Sequence, residues 1–375
     1  MPGELGLNVF HEDFLLLKGM KVPPDVPNFT PVPLPREGTF EQRLQQARQG
    51  PLGDMEPGTL YYLVGTKLFV YAPEEPWDRD LFAQSLDHGT GVVGSAVGAA
   101  HGTNPDGFAV FVFGPYRSTW EWLEKADWID AISTSYSRFG EFSDNRLRTC
   151  VEAPYIRRIV ERGRLVFSAA GNAVPPGGEV LSPSGAPAAY QVGGVDDEGR
   201  SYLPDPTGDG ACCTTTRPYE TGDRFDFQST HPSSVEGSER FGGTSGATPS
   251  TAGRATELIQ FARSLLGSNW SGVRDGVLAA RTGRGQVPAS GPLADGDLTN
   301  QELIDVLHHT AAPAETASPI RYLVEGYGAL SEDTVDLAKA VLAGEQEPPD
   351  REQEDVMHGL VESLRTVLFD DLRCG

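Results

Sequence analysis

Leu165-Val166-Phe167-Ser168-Ala169-Ala170-Gly171-Asn172 reads as a buried strand, apolar on both faces and ending in small residues. A strand of this kind lies inside a sheet covered on both sides, and three others share its character: Phe108 to Phe113, Ala131 to Ser135 and Tyr190 to Val195. Two further β-rich runs, Leu60 to Val64 and Lys67 to Ala72, are each flanked by glycine or proline. Helical stretches intervene at His88 to Ala100, Asn145 to Arg162, Pro249 to Leu266 and Asn300 to His309, the last with Thr299 and Glu302 as a capping box. This alternation, sustained to about residue 343, predicts an α/β domain built on a mainly parallel sheet.

The 375 residues are 38% hydrophobic, ample for a packed core. Thirty Lys and Arg against 53 Asp and Glu leave a formal charge of −23, which repels phosphate backbones and anionic headgroups, so neither nucleic acid nor a membrane is an expected partner. No run approaches the ~18 apolar residues of a membrane span, and Met1 to Leu7 holds no basic segment ahead of an apolar one. Cytoplasmic residence is expected. Cys150, Cys212, Cys213 and Cys374 lack metal-ligand spacing and describe no disulfide framework, and the seven histidines form no metal pattern. No metal and no cofactor are expected.

Residues 21 to 37 carry six prolines, which remove backbone donors and hold the chain extended. A short helix over 39 to 48 follows, capped by Thr39 and ended by Gly50-Pro51. The expected organisation is an N-terminal extension over 1–58, the main domain over 59–343, and an acidic linker with a C-terminal helix over 344–375. In that tail Val356, Leu360, Leu364 and Val367 recur at helical spacing, giving an apolar face that docks on the domain or on a partner, a second copy included.

Three segments carry chemistry. In Asp87-His88-Gly89-Thr90-Gly91-Val92-Val93-Gly94 a histidine enters a helix whose next turns are small, so that substrate and neighbouring elements approach closely. Asn172 places an amide at the carboxyl end of a sheet strand, a suitable donor to a developing oxyanion. In Phe241-Gly242-Gly243-Thr244-Ser245-Gly246-Ala247-Thr248-Pro249 glycines permit a tight turn and Ser245 opens a helix, whose dipole and small neighbours favour an exposed nucleophile.

The ordered set His-Gly-Thr-x-Val-x-Gly, Ala-Ala-Gly-Asn and Gly-Thr-Ser-x-Ala-x-Pro resembles the subtilisin-like serine peptidases, the subtilases, over roughly residues 59 to 343. Ala126 to Ser137 is similar to the strand that lines the family's substrate groove, Gln191 to Asp196 to the strand after the oxyanion asparagine, and Tyr327-Gly328-Ala329-Leu330 with Val335 to Ala338 to the closing segment. The resemblance implies a three-layer subtilisin-like α/β fold, with a mainly parallel sheet flanked by helices. It implies His88 as general base, Ser245 as nucleophile, Asn172 as oxyanion donor, and Ser135, Tyr136 and Ser137 as substrate-binding residues. By analogy with short extensions of intracellular relatives, the proline-rich arm is expected either to occupy the groove as an added, inhibitory strand or to pack on the surface.

The departure that matters is the acid. Family members place an orienting aspartate at the end of an apolar strand upstream of the histidine, and the closest match, Tyr62-Leu63-Val64-Gly65-Thr66, holds Gly65 there. Asp54, another acid such as Asp13 or Asp78, and no acid at all remain open; Asp87 adjoins His88 but seldom folds onto the far ring nitrogen from such a position. Gly91 replaces the usual second histidine, Ser250-Thr251 the usual His-Val, and Tyr136-Ser137 the common Leu-Gly of the groove strand.

The resemblance thus implies an intracellular serine endopeptidase that processes a limited set of peptides or proteins through an acyl-enzyme. The missing acid raises a second reading, a catalytically weakened subtilase that binds a peptide or serves as a partner subunit. A third is acyl transfer to an amine, giving a ligated or cyclised peptide.

Overall fold

The computed structural model describes residues 6–75, 82, 88–100, 102–114, 116–136, 138–139, 142–143, 146–147, 152–169, 181–183, 186, 188–195, 227–230, 244–313, 327–352, 355–356 and 359–360. Nine strands and seven helices position the site: β1 (Phe29–Pro33), α1 (Phe40–Arg48), β2 (Thr59–Val64), β3 (Leu68–Ala72), α2 (His88–Val97), β4 (Ala109–Val112), α3 (Arg117–Lys125), β5 (Ala131–Thr134), α4 (Ala153–Glu161), β6 (Leu165–Ala169), β7 (Tyr190–Val195), β8 (Phe227–Thr230), α5 (Thr244–Leu266), α6 (Asn300–Thr310), β9 (Ala329–Leu330) and α7 (Glu332–Leu342).

The fold is mixed α/β with parallel sheets flanked by helices. Strands β9-β8-β7-β6-β5 form one all-parallel sheet, with Thr134 opposite Ser168 and Ser168 opposite Gln191. Strands β1-β2-β3-β4 form a second, parallel except for the β2–β3 hairpin. Helix α5 covers the first sheet through Ala247, Ala255, Leu258 and Ile259, which share a buried cluster with Phe167 and Val192. Arg263, nearly buried in that helix, donates to both carboxylate oxygens of Asp130 and to the Leu278 carbonyl.

The hairpin accounts for Gly65. Its φ of +87° is a left-handed conformation that costs glycine nothing, while Thr66 Oγ1 donates to the Leu63 carbonyl at 2.7 Å and accepts from Leu68 N at 3.0 Å. Because β2 is antiparallel to β3, Gly65 lies at the end of the sheet where β3 begins, away from the carboxyl edge of β3 and β4.

The N-terminal extension, on both sides of its proline-rich arm, is woven into the core. Leu7, Val9, Phe14, Leu44, Leu52 and Met55 share one cluster with Leu63, Val70, Val93 and Phe111. Strand β1 does add to a sheet, as an extended segment can, but at the outer edge beside β2. Thr39 caps α1 in a complete capping box with Gln42, and Thr299 caps α6 with Glu302.

Three helix boundaries differ from expectation. Helix α2 ends at Val97, where Lys67 Nζ, wholly buried, takes the Val97 carbonyl at 2.7 Å. Helix α4 begins at Ala153 rather than near Asn145, with Pro154 in the first turn where its missing N–H costs nothing. Helix α5 begins at Thr244, five residues before Pro249. In the C-terminal tail, Val356 and Leu360 of the expected apolar face are exposed; Leu364 and Val367 lie outside the described residues.

Candidate active site

His88 opens α2, and the register of that helix against β4 fixes where it lies. At the far end of α2, Val97 packs on Gly107, just before β4; at the near end, Gly89 meets the Phe111 ring. The helix therefore runs antiparallel to β4 and delivers His88 to the carboxyl edge of the strands, where parallel sheets collect their functional groups. Burial pushes the His88 imidazole below its ordinary value, which keeps it neutral and able to accept a proton at neutral pH.

Ser245 is the second residue of α5 and stays partly exposed while Thr244, Gly246, Ala247 and Thr248 around it are buried. Its backbone is held by an arrangement that begins with Pro249. In a regular helix the N–H of residue 249 would bond the carbonyl of residue 245; proline has none, and that carbonyl is released. The Ser135 hydroxyl donates to it at 3.0 Å, and the Ser245 hydroxyl in turn donates to the Ser135 carbonyl at 3.4 Å. Ser135 follows β5, so the pair ties the first turn of α5 to the carboxyl edge of the all-parallel sheet.

The two helices meet through small residues. A Cβ at Gly253 of α5 would lie 2.1 Å from Thr103 Oγ1 and 2.8 Å from the Ala96 carbonyl, and Thr103 Oγ1 donates to the Ser250 carbonyl at 2.8 Å. Between α2, α5, β4 and β5 lies a cavity of about 230 Å³, whose wall includes His88, Phe111, Ser135, Tyr136 and Pro249. The structure thus brings His88, Ser135 and Tyr136 around one cavity, with Ser245 bonded to Ser135. Asn172 and Ser137 lie outside the described residues; β6, which leads to Asn172, is described to Ala169, beside the end of β5.

Two of the acids weighed from sequence are located. Asp13 is buried at the opposite end of α2, where its Oδ1 accepts from Ala100 N at 2.6 Å. The length of α2 from His88 to Val97, nine residues of rise or about 14 Å, lies between that point and His88. Asp54 is exposed in the turn after α1. Asp78 and Asp87, with all four cysteines, lie outside the described residues. Sequence reasoning placed Ser135 in the groove but missed its bond to the Ser245 carbonyl; the signal was Pro249, four residues after the serine.

Among the described residues no helix is long and apolar enough to cross a membrane. Asp295, Asp297 and Glu302 form the one acidic group there that could hold a metal ion, away from this cavity.

Among solved structures, the chain is similar to the prenylagaramide maturation protease PagA (16% identity over 68% of this chain and 83% of that one, TM-score 0.43). It is also similar to the patellamide maturation protease PatA (19%, over 69% and 85%, TM-score 0.44) and to the PatG macrocyclase domain (16%, over 68% of each, TM-score 0.45). No curated protein matches the chain. The model of the subtilase family matches residues 64–290, which include His88, Ser135 and Ser245. The chain belongs to the subtilase family of serine peptidases.

Proposed function

We propose that the protein is a cytoplasmic serine endopeptidase that processes a limited set of peptides or proteins, with Ser245 as nucleophile and His88 as general base. The observation that carries this reading is the placement of Ser245 on the first turn of α5, bonded to Ser135, with His88 and Ser135 on the wall of one cavity. Ser245 Oγ attacks the scissile carbonyl, His88 takes its proton and returns it to the leaving amine, and water then resolves the acyl-enzyme. Asn172 is assigned to the oxyanion; loss of the equivalent donor in subtilisin costs about 10²–10³ in turnover. Ser135, Tyr136 and Ser137 are assigned to the substrate backbone, extended along the end of β5. Sparse cysteines without a framework support the cytoplasmic assignment.

The positions of Asp13 and Asp54 favour a second reading, a subtilase of low turnover that binds peptide more than it cleaves it. Removal of the orienting acid costs subtilisin ~3 × 10⁴ in turnover, less than the ~2 × 10⁶ lost without Ser or His, so a dyad retains chemistry. Fluorophosphonate labelling of the wild type beside Ser245→Ala separates the two. Labelling confined to Ser245, with peptide turnover to match, supports the peptidase; labelling at Ser245 without turnover, equal labelling of both proteins, or labelling of neither leaves the binding reading.

A further inference from the structure

The segment Gly6 to Asp13 runs beside α2, bonded to its first turn at one end and to Ala99 and Ala100, in the turn just past Val97, at the other. At the His88 end, Thr90 N donates to the Gly6 carbonyl at 3.1 Å and Thr90 Oγ1 accepts from Asn8 N at 2.8 Å. At the other end, Ala99 N donates to the Asp13 carbonyl at 2.9 Å and Ala100 N to the Asp13 carboxylate at 2.6 Å. Between these points Leu7 and Val9 are buried in the same apolar cluster as Val93 and Val97 of α2.

The contact at Thr90 has a specific physical meaning. The first N–H groups of a helix have no partner within it, and an end with unmet donors frays. Here the donor two residues beyond His88 is met by a carbonyl from the N-terminal segment, in a place with no slack. A Cβ on Gly89 would lie 2.7 Å from the Gly6 carbonyl oxygen and 2.7 Å from the Phe111 ring. Asn8 and Thr90 are themselves buried, so water does not substitute for either bond.

We infer that Gly6–Asp13 is an activating strap, and that Asn8 and Thr90 are positioning residues that hold the first turn of α2, and with it His88, in register with Ser245. The inference rests on the reading of His88 as general base. It assigns the N-terminal extension a role opposite to inhibition: the strap belongs to the working enzyme, and its release switches the enzyme off.

The test uses the full chain with Thr90→Val, which removes the acceptor of the Asn8 N–H, and Thr90→Ser, which restores it. Thr90→Val should lower the maximal fluorophosphonate labelling rate about tenfold or more, the scale expected of a misplaced catalytic group, with unchanged half-saturation, and Thr90→Ser should stay within about twofold. The His88 ring, followed by NMR, should titrate nearer the ordinary imidazole range in Thr90→Val only. A folded Thr90→Val with wild-type labelling and wild-type His88 titration overturns the strap. Should Thr90→Val fail to fold, hydrogen exchange of the wild type decides: the Thr90 amide should be protected as well as that of Ala99, and free exchange at Thr90 overturns the inference. A wild type that does not label at Ser245 removes the peptidase reading alone, because ring titration and amide exchange still report on the strap.

Discussion

The hydroxyl of Ser135 donates to the carbonyl of Ser245, and the hydroxyl of Ser245 donates to the carbonyl of Ser135. Side chain to backbone in both directions, this exchange connects the residue after β5 with the first turn of α5. Ser135→Ala should remove the half that fixes the serine backbone. A neutral hydrogen bond contributes about 0.5–1.5 kcal/mol, so the labelling rate should fall roughly 2- to 13-fold while the urea midpoint moves little. An unchanged rate would show that the bond does not orient the nucleophile.

The pH profile should carry the signature of a buried base. Burial lowers the His88 pKa, and the general base proposed above acts as the neutral ring. The labelling rate should therefore rise with pH, reach half its maximum below the ordinary imidazole value of ~6.5, and be flat by neutrality. The same shift makes the unfolded chain bind the proton first, so this group's contribution to stability is present above ~6.5 and is lost as pH falls through that value towards the folded one. A midpoint above 6.5 would contradict the assignment.

Asp54→Asn should leave the labelling rate within about tenfold of wild type, an activation difference of ~1.4 kcal/mol, since Asp54 is exposed in the turn after α1. A loss near 10⁴, the cost of the wrong imidazole tautomer, would identify it as the orienting acid after all.

Gly253→Ala should be destabilising and inactivating together. Its Cβ would enter the space of Thr103 Oγ1 and the Ala96 carbonyl, where backbone cannot yield cheaply. Overpacking of this kind costs about 1–3 kcal/mol, to be read as a lower urea midpoint, and the helices that carry His88 and Ser245 would be pushed apart. Gly276→Ala is a control for the added methyl, because nothing lies within 4 Å of that position, although its φ of +86° carries its own backbone cost.

Much of this arrangement was legible in the sequence, because the decisive signals are local. Tyr190 to Val195 matches β7 to the residue, and Thr299 with Glu302 marks the start of α6 through bonds made within four residues. Helix α3 was missed: nine residues with two tryptophans give too few turns to separate its buried Trp120 and Leu123 from a loop. The run Pro249 to Leu266 marks the body of α5 and Ser245 its opening; that Pro249 sits inside one continuous helix is accommodated by Ser135, 110 residues before Ser245, donating to the freed carbonyl. The strap was read as part of an arm because nothing in Gly6 to Asp13 announces that its carbonyls and carboxylate match the two ends of α2.

The two sheets end on β4 and β5, and the helices that join them, α2 and α5, carry one chemical partner each. Helix α2 is rooted through Val93 and Val97 in the cluster of the four-stranded sheet, and α5 through Ala247 and Leu258 in that of the five-stranded sheet. On the proposed roles of His88 and Ser245, catalytic competence is therefore a property of the seam rather than of either half. As denaturant rises, slippage at this joint separates the pair while both sheets still stand, so reactivity at Ser245 should vanish at a lower urea concentration than the helical circular-dichroism signal. That order of events would amount to a built-in fuse, a damaged copy falling silent before it comes apart.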